Sequence, residues 1–244
     1  MNDRYNIMSN FLNYSGWELS FFDNADNFRN YQIDIIKNNL KGVVAEVGPG
    51  NGSLCEKYNI YCDKVVLFEP SKNLFKNLEN KFKSNKNVEI NNNEFLVSNR
   101  KFDCFLLMDV IEHIEDPKIL IKNLYNSLNE NGKILINVPA FQHLYSRFDK
   151  DVGHFKRYNK KSFLNELSLI SPKKTKMFYY DSFGYFLSLA SQFFFLVSKK
   201  YNTNYKNDFK NKIKLWNFFM PFSKIFDRFL FNSVGKSLFI IINK

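Results

Sequence analysis

The feature that most constrains the fold is the segment 43–52, which reads VVAEVGPGNG. A short β-branched run carries the carboxylate Glu46 near its end. Glycines follow at three alternate positions, namely Gly48, Gly50 and Gly52. Glycine has no Cβ, so it adopts positive φ and lets a ligand approach the backbone closely. A helix predicted to begin at Ser53 adds unpaired N–H groups and a partial positive charge. The segment therefore predicts a strand, a tight turn and a helix N-terminus around a nucleotide-type ligand.

Predicted strands and helices alternate in the first part of the chain. After a helix expected over 26–40, apolar runs bounded by turn residues predict strands at 43–47, 64–71, 88–90, 102–109 and 133–139. Helical patterns separate most of these runs, at 53–58, 75–83 and 117–128, and Asn131-Gly132 is predicted as a turn. This alternation predicts an α/β fold with a doubly wound, mostly parallel sheet, whose ligands bind at the carboxyl ends of the strands.

The glycine spacing and the neighbouring acids favour an adenosyl cofactor over a dinucleotide. Dinucleotide-binding turns typically read G-x-G-x-x-G and present N–H donors to a diphosphate. Here the glycines alternate, and Glu46 precedes the first of them by two residues. A carboxylate suits a ligand that carries an ammonium group and a sulfonium. Glu69, at the end of the second predicted strand, is positioned to accept hydrogen bonds from the ribose hydroxyls.

Four segments together resemble the class I S-adenosylmethionine-dependent methyltransferases. They are E-V-G-P-G-N-G at 46–52, F-E-P-S at 68–71, D-V-I-E-H-I at 109–114 and the closing apolar strand at 237–242. The resemblance implies a Rossmann-like, seven-stranded, mostly parallel sheet with an antiparallel last strand. It also implies S-adenosyl-L-methionine as the cofactor.

The same resemblance implies roles for individual residues in cofactor binding. Glu46 and the three glycines would hold the methionine end of the cofactor, and Glu69 would hold the ribose. Asp109 would lie near the sulfonium, and Asn93 or Glu94 near the adenine. His113 would pack over the cofactor, although a hydrogen bond at a helix terminus explains this histidine equally well.

A second resemblance concerns the loop that follows the fifth predicted strand. Its elements Pro139-Ala140, Ser146-x-x-Asp149 and Gly153-His154-x-x-Arg157-Tyr158 are similar to those of a bacterial branch of the family that acts on small molecules and glycoconjugates. Such a loop lies where a methyl acceptor must approach. His154 is then the candidate general base, Asp149 its orienting partner, Arg157 an anion clamp and Tyr158 a hydroxyl donor. Alternatively, His154 and Tyr158 only cap the loop while Arg157 pairs with Asp149 or Asp151.

The last part of the chain is basic and aromatic. The net charge is +11, and residues 171–244 contribute 13 basic and 3 acidic side chains to it. Apolar helices are predicted at 183–197 and 216–231, with a basic linker at 199–214 between them. The first helix is too short and too interrupted to span a bilayer. These helices could form a wall for a lipid-linked or phosphorylated acceptor or contact an anionic membrane surface. The alternatives are lid packing, a homodimer interface, or a bias toward Lys and Asn.

Several other function classes are disfavoured. The three cysteines and the absence of an apolar signal core predict a reduced, cytoplasmic protein. Its oligomeric state is left open between a monomer and a homodimer. The three histidines, His113, His143 and His154, are dispersed and lie near no tight carboxylate cluster, so no metal site is expected. Nucleic-acid methylation is disfavoured because the Asn/Asp-Pro-Pro-aromatic element of that branch is absent after the fourth strand.

The sequence thus predicts one methyltransferase domain in two parts. Residues 1–170 form the cofactor-binding core with an N-terminal helix, and residues 171–244 add a helical lid and the final strand. The expected reaction moves a methyl group to an oxygen or nitrogen of a small-molecule, saccharide or lipid-linked acceptor and releases S-adenosylhomocysteine. An NAD-linked oxidoreductase and a non-catalytic cofactor-binding protein of the same fold are the alternatives.

Overall fold

A computed structural model of the chain describes residues 16–92, 100–198 and 205–244, without the side chains of 194–198 and 205–208. Its single sheet has seven strands: β1 Val43–Val47, β2 Lys64–Phe68, β3 Val88–Asn91, β4 Phe102–Met108, β5 Leu128–Pro139, β6 Lys174–Tyr180 and β7 Ser237–Asn243. The strand order is β3-β2-β1-β4-β5-β7-β6. The first five strands are parallel, and β7 runs antiparallel to both β5 and β6. The predicted fold is confirmed.

The helices of the described residues are α1 Leu19–Asp23, α2 Asp26–Ile36, α3 Ser53–Tyr58, α4 Lys72–Phe82, α5 Lys118–Asn126, α6 Arg147–Asp151, α7 Lys160–Glu166, α8 Ser182–Ser198 and α9 Tyr205–Phe229. Short 3-10 turns lie at Lys37–Asn39, Asn59–Tyr61, Ile111–His113 and Gln142–Leu144. None of these helices combines the length and the apolar character needed to cross a membrane.

Both faces of the sheet are buried, which explains the near-continuous apolar runs of the central strands. Ala45 and Phe105 pack in the cluster on one face, while Val44 and Leu106 pack in the cluster on the other. Because ligand loops then have room only at the strand ends, the sheet directs the site to its carboxyl edge.

Two local predictions were wrong, each for a physical reason. Asn131 and Gly132 do not form a turn before β5. They lie within this strand, at a bulge where its register against β4 shifts between Phe102 and Cys104. The predicted basic linker at 199–214 is helical from Tyr205, because Phe209 and Ile213 lie one turn apart and pack against the core while Lys210 and Lys214 are exposed. Its first residues, 199–204, lie outside the described part of the chain.

Two buried aspartates connect helices α8 and α9 to the core. The carboxylate of Asp227 on α9 accepts hydrogen bonds from the backbone N–H groups of Asp181 and Ser182, at 2.7 and 2.8 Å. It also accepts one from the hydroxyl of Tyr31 on α2, at 2.7 Å. Asp227 therefore connects the start of α8, helix α9 and helix α2.

Asp181 completes this connection from the other side. Its carboxylate accepts hydrogen bonds from the indole Nε1 of Trp216 at 2.8 Å, from the hydroxyl of Ser223 at 3.1 Å and from the backbone N–H of Gly184 at 2.9 Å. Burial raises the pKa of Asp181 to about 6. Helices α8 and α9 are thus held by hydrogen bonds that are shielded from water. In such a place a polar group left without its partner is costly.

Replacing Asp227 should destabilise the fold strongly. The variant Asp227→Ala leaves two buried N–H groups and a buried hydroxyl without their acceptor, at an expected cost of ~3 kcal/mol in the free energy of unfolding. Urea denaturation measures this value. The neighbouring exposed side chain provides the control, since Arg228→Gln should change stability by about 0.5 kcal/mol or less. Equal stability of the two variants would contradict the assigned role of Asp227.

Candidate active site

A cavity of about 1750 Å³ opens at the carboxyl edge of the sheet. Residues at the ends of β1, β2, β4 and β5 line one side of it, including Gly48, Glu69, Asp109 and Pro139. Helices α8 and α9 and the loop after β5 line the other side. The cavity therefore joins the two regions that the sequence assigned to a cofactor and to an acceptor.

The glycine turn forms one end of the cavity. All three glycines have positive φ, at 68° for Gly48, 58° for Gly50 and 71° for Gly52. Gly48 and Gly50 line the cavity, while Gly52 points inward, where a Cβ would lie 2.7 Å from Leu78. The structure thus brings two of the three glycines to the site and gives Gly52 a packing role at the start of α3.

The two predicted acids beside the turn are both buried and both line the cavity. Glu46 accepts a hydrogen bond from the hydroxyl of Tyr58 at 2.8 Å. Glu69 accepts bonds from the backbone N–H groups of Gly50, at 3.2 Å, and Ser71, at 2.9 Å. Burial raises the pKa of each carboxyl to about 7, although the hydrogen bonds that they accept act in the opposite direction.

Arg29 is a cavity residue that sequence reasoning missed. It lies on α2, donates to the side-chain oxygen of Gln32 at 2.8 Å, and has a buried Nε with no hydrogen-bond partner among the described residues. Its positive charge acts to lower the pKa values of Glu46 and Asp109. The predicted helix at 26–40 contained this arginine, but only the packing of α2 shows which side chains reach the cavity.

Asp109 directly follows β4 and lines the cavity, and its backbone has a positive φ of 59°. Its carboxylate accepts a hydrogen bond from the side-chain amide of Asn137 at 2.7 Å, which fixes its orientation. The adenine contact expected from Asn93 or Glu94 lies outside the described residues.

The loop after β5 is ordered around Asp149. This carboxylate accepts hydrogen bonds from the backbone N–H and hydroxyl of Ser146, at 2.8 and 2.9 Å, and caps α6. It also pairs with Arg157 through Nε at 2.7 Å and Nη2 at 2.9 Å, and with Nδ1 of His154 at 2.9 Å. Burial acts to raise the pKa of Asp149, but the bonds from His154 and Arg157 outweigh burial and hold the pKa well below its usual value.

The four residues expected to act on the acceptor therefore occupy different environments. His154 lines the cavity with its Nδ1 held by Asp149. Arg157 also lines the cavity but pairs with Asp149, which is the alternative left open by the sequence. Tyr158 is fully buried against Phe163, does not line the cavity, and has a hydroxyl with no partner among the described residues.

Glu112 is a second residue that sequence reasoning missed. Its side chain is fully buried at the cavity wall, and neither carboxylate oxygen has a hydrogen-bond partner in the described part of the chain. Nε2 of His154 lies 3.9 Å from its Oε1. The D-V-I-E-H-I segment contained Glu112, but nothing local indicated that the later loop returns over it, with the N–H of Phe155 bonded to the Glu112 carbonyl at 2.8 Å.

His113 lies next to this pair. It ends the 3-10 turn Ile111–His113, and its ring meets the ring of His154 edge-on at 4.6 Å between centroids. Burial lowers the pKa of His113 to about 3, with a further contribution from the nearby His154, while a backbone hydrogen bond with Gly153 acts in the opposite direction. Donor atoms of Glu112, His113 and His154 all lie within 4.8 Å of one another, a grouping that differs from the dispersed histidines expected from the sequence.

Lys236, immediately before β7, adds a cation to the wall of the cavity. Its ammonium lies 5.0 Å from the ring centroid of Trp216, within the range of a cation–π contact. Burial lowers the pKa of Lys236, against the opposing effect of Asp181. Lys236 belongs to no sequence motif, because its position at the cavity depends on the pairing of β7 with β5 and β6.

Comparisons with known proteins agree with this fold. A family model described as a methyltransferase domain matches residues 24–183. No curated protein matches the chain. The structure is similar to that of phosphoethanolamine N-methyltransferase 2 of Haemonchus contortus in complex with S-adenosyl-L-methionine, with 14% identity, a TM-score of 0.66, and 97% of this chain and 60% of that chain covered.

Two further solved structures are matched over nearly their whole length. A S-adenosylmethionine-dependent methyltransferase from Archaeoglobus fulgidus has 16% identity and a TM-score of 0.60, with 95% of this chain and 100% of that chain covered. The N-methyltransferase NodS from Bradyrhizobium japonicum has 10% identity and a TM-score of 0.53, with 90% and 96% covered.

The chain spans about 60% of the length of the Haemonchus protein. The family model matches well over half of the chain, and the solved structures share its overall fold. The chain therefore belongs to the methyltransferase-domain family, and its fold is that of enzymes that use S-adenosylmethionine.

Proposed function

We propose that this protein transfers a methyl group from S-adenosylmethionine to an oxygen or nitrogen atom of an acceptor that carries an apolar part and an anionic group. One observation carries the proposal: a single cavity has the acidic glycine turn at one end and the ring of His154 at the other. A cofactor and an acceptor bound at these two ends would meet within the same enclosed space, which direct methyl transfer requires.

The residues at the glycine turn suit the chemical groups of the cofactor. Glu69 would accept hydrogen bonds from the ribose hydroxyls, and Glu46 would face the ammonium of the methionine end. The buried Nε of Arg29 would gain a partner from the methionine carboxylate. Gly48 and Gly50 leave room for the backbone to approach the ligand. The expected adenine contact from Asn93 stays a prediction.

The same turn is poorly suited to a dinucleotide. The backbone N–H of Gly50, which would be needed for a phosphate, already donates to Glu69. A diphosphate would also face two buried carboxylates, Glu46 and Glu69, and like charges at close range destabilise binding. This observation favours the methyl donor over the NAD-linked alternative.

The chain's contribution to the chemistry lies in orientation and in proton removal. The cofactor supplies an electrophilic methyl group, which the acceptor attacks through a lone pair while the carbon–sulfur bond breaks and its electron pair stays on sulfur. A hydroxyl or ammonium acceptor must also lose a proton. Asp149 holds Nδ1 of His154, so Nε2 is the ring nitrogen left to accept that proton. Arg157 positions Asp149 and balances its charge. Tyr158 supports the loop by packing.

The acceptor end of the cavity suggests the class of acceptor. Apolar side chains of α8 and α9 line it, among them Leu187, Ile213 and Leu215, and Lys212 and Lys236 supply positive charge. This combination favours an amphipathic, anionic acceptor, such as a phosphorylated or lipid-linked molecule. The Haemonchus contortus enzyme binds phosphomonomethylethanolamine, a phosphorylated amine, which supports the same class.

The outer surface of α9 supports delivery of that acceptor from a membrane. Phe218, Phe222, Phe226 and Phe229 recur at helical spacing and are between 51% and 75% exposed. Lys210, Lys214 and Arg228 are exposed basic side chains of the same helix, whereas Lys212 lines the cavity and Lys224 pairs with Asp34 on α2. An aromatic stripe bordered by cations is typical of helices that lie in an anionic membrane interface. Pairing of two copies through this stripe would bring like charges together, which disfavours a homodimer here.

Cofactor binding should depend on pH through the two raised carboxyls. Because Glu46 and Glu69 have pKa values of about 7 in the free protein and must ionise to serve the cofactor, binding releases protons. The affinity for S-adenosylhomocysteine should therefore rise about tenfold or more between pH 6 and pH 8 and level off above. Calorimetry measures this, and NAD should give no heat.

Two variants sharpen the test of cofactor binding. Glu69→Gln should bind more weakly at pH 8 and show a shallower pH dependence, whereas the exposed Glu79→Gln should match the wild type. A flat pH profile in the wild type would remove the assigned role of the buried acids, and binding of NAD alone would reject the proposed function.

His154 should affect turnover without affecting cofactor binding. His154→Gln removes the proton acceptor and should lower methyl incorporation into a lipid extract by about 10²-fold or more at saturating cofactor. The assay follows a radiolabelled methyl group from S-adenosylmethionine. The exposed Lys161→Gln on α7 is the control and should retain full turnover. Unchanged turnover in His154→Gln would remove this residue from the reaction.

Membrane contact should depend on both the aromatic stripe and the charge. The protein should co-sediment with vesicles that contain phosphatidylglycerol at low salt, and less so at high salt or with neutral vesicles. Phe222→Ser combined with Phe226→Ser should weaken binding about tenfold. Ile60→Ser, which alters an apolar side chain that is 75% exposed in the turn after α3, should have no effect. A change in oligomeric state with no change in vesicle binding would indicate a dimer interface instead.

A further inference from the structure

We propose that Glu112, His113 and His154 form a binding site for one divalent transition-metal ion. The site lies in the wall of the cavity, at its acceptor end. It unites two adjacent residues of the turn after β4 with one residue of the loop after β5, so it exists only in the folded chain.

The geometry of the three side chains is close to that of a bound site. Their donor atoms lie within 4.8 Å of one another, and the distance from Nε2 of His154 to Oε1 of Glu112 is 3.9 Å. Nitrogen and oxygen ligands bind zinc at about 2.0–2.2 Å, so that ligands of one ion lie roughly 3–3.5 Å apart. A contraction of about 1 Å, achieved by small side-chain rotations, would therefore close the site.

The burial of Glu112 gives an independent indication of a cation. Both carboxylate oxygens are buried, and neither has a hydrogen-bond partner among the described residues. An ionised carboxylate in this state is costly, so a buried carboxyl group is ordinarily protonated, paired, hydrogen-bonded or bound to a metal. The ring of His154 is close but too distant for a hydrogen bond, at 3.9 Å. A metal ion between these two groups would satisfy both.

Both histidines make the second hydrogen bond that is usual for histidines that bind a metal. A ligating histidine typically donates its other ring N–H to a carboxylate or a backbone carbonyl, which fixes its orientation. Nδ1 of His154 pairs with Asp149, and His113 has a backbone hydrogen bond with Gly153. Asp149 is in turn held by Arg157, so the support extends two residues behind the site.

The ligand set indicates the class of ion and its use. Two imidazoles with one carboxylate suit zinc, iron or nickel rather than magnesium or calcium, which prefer oxygen ligands. Three protein ligands leave at least one position open, as in catalytic sites. Under the proposed function, an ion at this position would polarise the heteroatom of the acceptor and favour loss of its proton. Nε2 of His154 would then bind the ion and have no lone pair left for a proton, so in the metal-bound protein solvent would replace His154 as the proton acceptor assigned under the proposed function.

The test is metal binding by the whole chain, which needs no acceptor. Protein treated with a chelator and then dialysed is titrated with Zn²⁺, and with Co²⁺ as a spectroscopic probe of nitrogen ligation. The expected result is one bound ion per chain and a zinc-dependent rise in the thermal midpoint of unfolding. Glu112→Gln and His113→Asn should each weaken binding at least tenfold, and Asp149→Asn should weaken it by about 10–100-fold.

His143→Asn is the matched control, because His143 lies outside the cluster and pairs instead with the hydroxyl of Tyr185. Retained binding of S-adenosylhomocysteine shows that each variant is folded. Absence of a one-to-one complex, or zinc binding by His113→Asn equal to that of the wild type, overturns the proposal. If the protein binds S-adenosylhomocysteine but not zinc, the metal site alone is rejected. If it binds zinc but not S-adenosylhomocysteine, the proposed function alone is rejected.

Discussion

The carboxylate of Asp149 is the group on which the arrangement of the loop after β5 depends. It caps α6 through Ser146, neutralises the buried Arg157 and fixes the ring of His154. Each bond alone is modest, but all of them converge on one buried group, where removal of an acceptor leaves several donors unpaired. The loop after β5 therefore has a single folded arrangement, and this arrangement brings His154 over Glu112. The position of His154 follows from a charge balance that is local to the loop.

Under the proposed function, the cofactor end is organised by a different principle, which is the concentration of acids in a buried space. Glu46, Glu69 and Asp109 all line the cavity there, with Arg29 close to the first and third. A cationic ligand relieves their mutual repulsion, whereas a neutral one does not. Under the proposed reaction, the donor carries a positive sulfur and the product does not, so these acids would hold the donor more tightly than the product.

The parts of this arrangement that follow from local chemistry could be predicted from the sequence. Glycines in the tight turn after a strand permit the positive φ that Gly48 and Gly50 adopt, and acids at strand ends such as Glu69 lie at the carboxyl edge of a parallel sheet. The pairing of Arg157 with Asp149 was among the stated alternatives because both residues belong to one loop. By contrast, the cavity positions of Arg29, Glu112 and Lys236 depend on how distant segments pack, and no local pattern encodes that. The early start of α9 was missed because its lysines concealed the helical spacing of Phe209 and Ile213.

The connection between α9 and α2 has a mechanical consequence. Besides the bond between Tyr31 and Asp227, the side chain of Asn217 on α9 accepts a hydrogen bond from the backbone N–H of Phe28 at 3.0 Å. Helix α2 also carries Arg29 into the cofactor end of the cavity. Helices α2 and α9 are therefore bonded directly to each other, and under the proposed function α9 covers the acceptor while α2 supports the cofactor. Occupancy of either end should bias the position of both helices, so that donor and acceptor bind in an ordered rather than an independent manner.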